Sequence, residues 1–305
     1  MNVLIAGASG FIGRNLVEAL QPGHNITVVG RDWSLLKRYF PNHIKLCSWE
    51  SLDELNAKSF DAIINLCGHN ISASRWNETV KQQIIDSRVK TSATLIQWAK
   101  KQEATPHFYC ANAIGIYGMQ DSNDPKPFDE ESPIDCNNPR DFLSEIGVKW
   151  QNALQPALES GMPVTTTRFG VVLKKGEGIL KKLAPSFYCG LGAILGDGKQ
   201  VISWMHIEDL VAAYLFLLDK PELTGDFNFT APHPVSQEDF ARLLAKAMNR
   251  PLFLKMPAWF IKQVFGEMGE SLLLKGQRVL PKRLLETGYC FRYPKLAEAL
   301  HHEFR

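Results

Sequence analysis

The segment Gly7-Ala8-Ser9-Gly10-Phe11-Ile12-Gly13 carries the clearest chemistry in the chain, because its glycine spacing suits an anionic diphosphate. Gly7 permits a tight turn, Gly10 lets a pyrophosphate approach the backbone, and Gly13 lets a helix pack closely on the preceding strand. The amides around Ser9, Phe11 and Ile12, at the helix start, face the phosphates. A glycine pattern placed this way between an apolar run and a helical pattern predicts dinucleotide binding. Some 20 residues later stands Gly30-Arg31, followed by Asp32. A guanidinium there pairs with a 2′-phosphate through charge-assisted bonds, which predicts NADP (NADPH). The alternative is NAD, with Arg31 solvated and Asp32 holding the ribose hydroxyls.

Other chemistries lack their residues. The six cysteines are scattered, with no CxxC and no zinc-type spacing, so no metal site is expected. Neither HExxH nor GxSxG occurs. The run Gly190 to Gly198 is not a nucleotidase phosphate loop, since Ala193 stands at its first required glycine and Gln200 follows Lys199. It reads as a lid over a pocket or as two tight turns.

The elements that must position the loop alternate between strand and helix. Val3-Leu4-Ile5, Ile26 to Val29, Ile44 to Leu46, Ala62 to Leu66, Phe108 to Cys110 and Val164 to Phe169 read as buried strands. A helical stretch runs from about Glu78 to Lys101. This βαβα order predicts an α/β fold, a Rossmann doubly wound parallel sheet with helices on both faces. After Gly170, glycine turns, one helix over Ile207 to Leu218 and a mostly helical tail follow. The expected division is an NADP-binding domain over 1–172, joined by about 200–230. A smaller helical domain over 173–199 and 231–305 would cover the substrate.

Composition bounds the partners. Among 305 residues, 34 Lys+Arg against 32 Asp+Glu leave a formal charge of +2, which gives no reason to expect nucleic acid or a membrane surface. The longest apolar run, Val211 to Leu218, is far shorter than the roughly 18 residues a membrane span needs. Unpaired cysteines and the lack of a signal segment predict a cytoplasmic protein.

These residues resemble the extended, epimerase-like branch of the short-chain dehydrogenase/reductase superfamily. Asn65-Leu66-Cys67-Gly68 is similar to its motif after the fourth strand, Ile114 to Gly118 to the segment closing the fifth, and Trp204 to Leu210 to its late motif. Arg75-Trp76, Asp86 to Val89, Arg168 to Leu173, Gly190 to Gly192, Gly266 to Met268 and Gly276 to Pro281 resemble one group in that branch, which carries a helical C-terminal extension. The resemblance implies that Leu66, Cys67 and Gly68 pass the adenosine side of the cofactor and that Arg88 approaches its phosphates.

The superfamily's proton transfer rests on a Tyr-x-x-x-Lys pair and a Ser or Thr. None of the seven tyrosines here has lysine four residues on; Phe142 and Ile146 occupy the matching positions, and Cys110 to Ala113 replace the hydroxyls. Tyr117 and Asn112 are the candidate replacements, as donor and as substrate hydrogen bond. Phe142, Ile146 and Trp150 form an apolar stripe suited to a helix on a sheet. Glu145 and Lys149 read as a surface pair, His206 as a titratable or structural group, and Arg75-Trp76 as a pocket wall or an anchored loop. The resulting expectation is an NADP-dependent oxidoreductase with atypical catalytic residues, acting on a small molecule such as a sugar nucleotide or another carbonyl or hydroxyl compound, as monomer or homodimer. The alternative is a non-catalytic NADP(H)-binding redox sensor or regulatory protein.

Overall fold

The apolar runs of the first half all enter one sheet in the computed structural model, which describes residues 1–121, 123–124 and 126–305. In chain order come β1 (Asn2–Ala6), α1 (Phe11–Leu20), β2 (Asn25–Gly30), α2 (Trp33–Tyr39), β3 (Lys45–Ser48) and β4 (Ala62–Asn65). Then follow α3 (Glu78–Lys101), β5 (His107–Ala113), α4 (Phe142–Asn152), α5 (Gln155–Glu159), β6 (Val164–Phe169) and β7 (Val171–Leu173). The chain continues through α6 (Gly178–Tyr188), β8 (Ala193–Leu195), β9 (Val201–Ile202), β10 (Trp204–His206), α7 (Ile207–Leu218) and β11 (Gly225–Phe229). It ends with β12 (Val235–Ser236), α8 (Gln237–Ala247), β13 (Leu254–Met256), α9 (Ala258–Leu273), α10 (Lys282–Glu286) and α11 (Leu296–Phe304).

Seven strands form the parallel sheet in the order β11-β6-β5-β4-β1-β2-β3. The order reverses between β1 and β4, and such a reversal opens a crevice at the strands' carboxyl ends where ligands bind. One face of the sheet packs α1 and α7 through Leu16, Leu20, Leu210 and Leu217. The other packs α3 and α5 through Leu95, Ile96, Trp98 and Ala157. A separate core joins α6, α8 and α11 through Leu180, Phe240, Leu244 and Leu300.

The C-terminal part divides less cleanly than its composition suggests. Leu284 and Tyr289, from the stretch expected to be wholly in the helical unit, lie in the core of the sheet face. The buried Asp209 carboxylate at the start of α7 holds this segment, accepting from the Arg292 and Tyr293 amides at 2.7 and 2.9 Å. No helix among the described residues is long and apolar enough to cross a membrane.

His107, at the start of β5, gives the fold a pH dependence. Its buried ring stacks on Tyr109 at 4.1 Å, its Nε2 lies 2.8 Å from Thr165 Oγ1, and its Nδ1 has no partner among the described residues. Burial pushes the imidazole from 6.5 down to about 4. The unfolded chain therefore binds the extra proton first, and stability falls as pH drops through that window. The loss reaches about 3 kcal/mol at the acid end. His107→Gln should flatten urea unfolding free energies measured between these pH limits; an unchanged slope would assign the acid lability elsewhere.

Candidate functional site

The crevice between β1 and β4 is built for close backbone approach. Gly7 has φ +80°, and a Cβ on it would meet the Leu66 carbonyl carbon at 2.7 Å and the Cys67 nitrogen at 2.8 Å. A Cβ on Gly13 would lie 2.5 Å from the Ala8 Cα. Glycine is therefore required at both positions by neighbouring main chain. Gly10 caps α1 without a side-chain bond, so the first amides of the helix carry no side-chain acceptor. Opposite, Asn65 accepts from the Cys67 amide at 3.1 Å and donates to Ser92 Oγ at 2.9 Å, fixing the path of Leu66 to Gly68 against α3.

Arg31 and Asp32 have separate tasks. The Asp32 carboxylate accepts from the Leu35 amide at 2.9 Å and caps α2. That bond engages Oδ1 of the exposed carboxylate at the helix start. Arg31 is exposed and lies near enough to Cys67 for its charge to act on the thiol, which burial nonetheless pushes up to about 12.

Arg88 lies beside this path. A Cβ on Gly68 would meet its guanidinium carbon at 3.0 Å, so the glycine lets the guanidinium lie against the backbone. Its Nη1 donates to the Ile84 and His69 carbonyls at 2.9 and 3.2 Å, and its other face covers the Trp150 ring. Among the described residues no carboxylate pairs with it, and burial lowers its pKa to about 10. A partly buried cation held only by neutral oxygens, the two carbonyls and the Ser87 hydroxyl, favours an anion next to it.

Arg88 lines a cavity of about 230 Å³ at the ends of β5 and β6. Most of the wall is apolar, including Ile114, Leu143, Ile146, Trp150, Phe169 and Ile202, while Lys275 is the other charged residue on it. The positions of the usual Tyr and Lys are built for packing: Phe142 and Ile146 meet Ile84 and Ile85 of α3. The stripe expected to dock on the sheet is thus shared, with its first two members on α3 and Trp150 in the sheet core.

Neither candidate replacement presents a free polar group. Tyr117 is buried outside the cavity wall, donating to Asn228 Oδ1 at 2.9 Å and accepting from Arg168 Nη1 at 2.8 Å. Its ring stacks on Phe128, and burial raises its phenol to about 12. The Tyr117 hydroxyl, the candidate proton donor of the sequence, is here part of a structural cluster with Asn228 and Arg168. Asn112 does reach the wall, but its amide donates to the Gly147 carbonyl at 3.1 Å and its oxygen accepts from the Ala113 amide. It ties β5 to α4.

Several other candidates resolve to structural roles. Glu145 and Lys149 pair on the surface at 2.7 Å. His206 is fully buried, with Nδ1 accepting from the Glu208 amide and Nε2 2.7 Å from Glu303. Trp76 donates to the Ile71 carbonyl and anchors its loop, while Arg75 donates to the Gln263 and Val264 carbonyls of α9. The Gly190 to Gly198 stretch forms tight turns around β8 and is not part of the cavity wall. Sequence spacing missed the strap Gly276-Gln277, although its motif had stood out. Gln277 donates to the Gly118 carbonyl at 2.9 Å, and a Cβ on Gly276 would lie 2.0 Å from the Val201 oxygen.

Comparison with known proteins gives this geometry a context. An epimerase family protein of Mycobacterium bovis is 34% identical over 302 residues, covering 98% of this chain and 96% of its own. The human epimerase family protein SDR39U1 is 34% identical over 303 residues, with 98% of each chain covered. The crystal structure of human SDR39U1 (isoform 2) with NADPH matches with a TM-score of 0.88 at 31% identity, over 99% of both chains. UDP-glucose 4-epimerase from Thermotoga maritima, at 18% identity and a TM-score of 0.78 over 100% of this chain and 97% of that one, shares the fold. Residues 256–303 match a domain of unknown function, DUF1731. Residues 3–229 match the NAD dependent epimerase/dehydratase family, and the chain belongs to that family.

Proposed function

We propose that the protein is an NADPH-binding oxidoreductase of the epimerase fold that operates without a Tyr-x-x-x-Lys relay. The observation that carries this reading is the division of labour at the end of β2, where Asp32 caps α2 and Arg31 stays exposed beside the crevice. That arrangement, together with the glycine cradle, fits a phosphorylated dinucleotide. The NADPH bound to the human relative agrees with it.

When bound, the cofactor supplies a hydride. Gly7, Gly10 and Gly13 admit its pyrophosphate, with the amides at Ser9, Phe11 and Ile12 as donors. Gly30 and Arg31 receive the 2′-phosphate, Leu66 to Gly68 flank the adenosine side, and Arg88 supplies positive charge toward the phosphates. The cavity between β5, α4 and the 276–277 strap receives a small carbonyl compound. Its apolar wall excludes water and suits an apolar substrate better than a hydroxyl-rich sugar. The same wall, lacking a free general acid at the usual place, favours a second reading as an NADPH-responsive binding protein.

A single assay separates the two. Protein loaded with NADPH is mixed with pools of apolar aldehydes and ketones and of sugar nucleotides, and absorbance of the reduced nicotinamide is followed. Consumption with the apolar pools supports the enzyme. Tight binding with no consumption in any pool leaves the binding protein.

Cofactor choice has its own prediction. Arg31→Ala should weaken NADPH at least about tenfold, the effect of losing one charge-assisted pair, and leave NADH within about twofold. Equal losses for both nucleotides would remove Arg31 from the 2′-phosphate.

A further inference from the structure

The near-neutral total charge conceals a one-sided segment. From Phe240 to Gly266 there are five cations (Arg242, Lys246, Arg250, Lys255 and Lys262) and no acidic residue. Arg242 and Lys262 pair with Glu238 and Glu270, outside the segment. Lys246, Arg250 and Lys255 are exposed and have no carboxylate partner among the described residues.

The same region concentrates the apolar surface. Phe253 is 85% exposed, Trp259 65% and Leu191 60%, and Tyr188, Leu254, Phe260 and Val264 are also exposed. Scattered apolar side chains need no explanation, but a contiguous group does. Several of these are brought together: β13, which carries Leu254, pairs with β8 just after Leu191, Arg250 donates to the Tyr188 carbonyl, and Gly196 at the end of β8 abuts Ala258 beside Trp259. The Trp259 and Phe260 rings meet edge to face at 5.9 Å at the start of α9.

We propose that this face, formed by β13, the start of α9 and the turn before β8, docks on an anionic lipid surface. Protruding Trp and Phe flanked by lysines and arginines are the chemistry of interfacial membrane contact; the nearby carboxylates are Glu238 and Glu270, which pair with Arg242 and Lys262, and the exposed Asp197 after β8. The charge decides against a second copy as the occupant, since a two-fold contact would set these cations against each other. α9 starts on this face, is broken at Gly266 (φ +61°, ψ −147°), and in its second half lends Ser271 and Leu272 to the cavity wall. A membrane-seated protein would thus hold its apolar cavity next to the phase where apolar carbonyl compounds dissolve.

The test is sedimentation of the full chain with vesicles of phosphatidylcholine alone and of phosphatidylcholine with phosphatidylglycerol. The protein should pellet with the anionic vesicles, remain in solution with the neutral ones, and be released by high salt. Lys255→Gln should lower the partition coefficient onto the anionic vesicles about fivefold, as expected for one surface charge. Phe253→Ala with Trp259→Ala should lower it further while NADPH affinity and Tm stay unchanged. No pelleting with anionic vesicles, or pelleting that ignores both substitutions, overturns the proposal. Self-association in solution that Trp259→Ala abolishes also overturns it, because a second copy would then cover the face.

Discussion

Gly13→Ala should abolish saturable NADPH binding and lower folding stability by about 3 kcal/mol, at the upper end for inserting one methyl into packed structure. The size follows from what the methyl meets. Its nearest atoms are the Ala8 Cα at 2.5 Å, the Gly7 oxygen at 2.6 Å and the Ala8 oxygen at 2.7 Å, all of them backbone. No rotamer change relieves such a clash, so the loop itself must move, and the loop is the cofactor's cradle. Gly23→Ala is the matched control, because a Cβ there has nothing within 4 Å. Fluorescence titration with NADPH and urea unfolding of both variants test the prediction. Normal binding by the Gly13 variant would show that the loop tolerates displacement and that the cradle is not what holds the nucleotide.

The second large effect lies in the cluster that contains Tyr117. Arg168 is 1% exposed, and its Nη2 contacts Asp226 Oδ2 at 2.5 Å and Gln151 Oε1 at 3.1 Å, while its Nη1 donates to the Tyr117 hydroxyl. Asp226 keeps 29% of its side-chain surface in water, so its own desolvation is modest. Removing it strands a guanidinium that cannot reach solvent, which typically costs about 3 kcal/mol or more. Asp226→Ala should lose about that amount in urea unfolding. Replacing the pair, Arg168→Met with Asp226→Leu, should recover only part of the loss, because the partly buried Glu130, whose Oε2 has no hydrogen-bond partner among the described residues, then loses the Arg168 charge. A single variant as stable as the parent would mean that water reaches Arg168 and that the cluster does not organise β6 and β11.

What was legible in the sequence was local. The glycine loop, the strands of the sheet and the loss of the Tyr-Lys pair depend on residues within a few positions of one another, so spacing revealed them. The Arg31 and Asp32 ambiguity was also local, and the structure adds to it that one Asp32 oxygen caps α2 through the Leu35 amide. For Tyr117, its place after β5 says where the backbone is, not which way the phenol turns. Its direction is set by Asn228 and Arg168, distant in sequence. The strap at Gly276-Gln277 reaches Gly118 across some 160 residues, and no periodicity encodes such a contact. The basic, aromatic face was hidden differently, because a chain-wide charge averages away a segment of 27 residues that contains no acid.

The central claim is that the crevice between β1 and β4 is a site for a 2′-phosphorylated dinucleotide. Equilibrium titration of the unmodified protein with NADPH and with NADH, at matched ionic strength, tests it most directly. The account predicts one NADPH per chain, bound at least about tenfold more tightly than NADH, the contribution of one charge-assisted contact to the extra phosphate. Equal affinities, or tighter binding of NADH, would contradict it and return the ribose to Asp32.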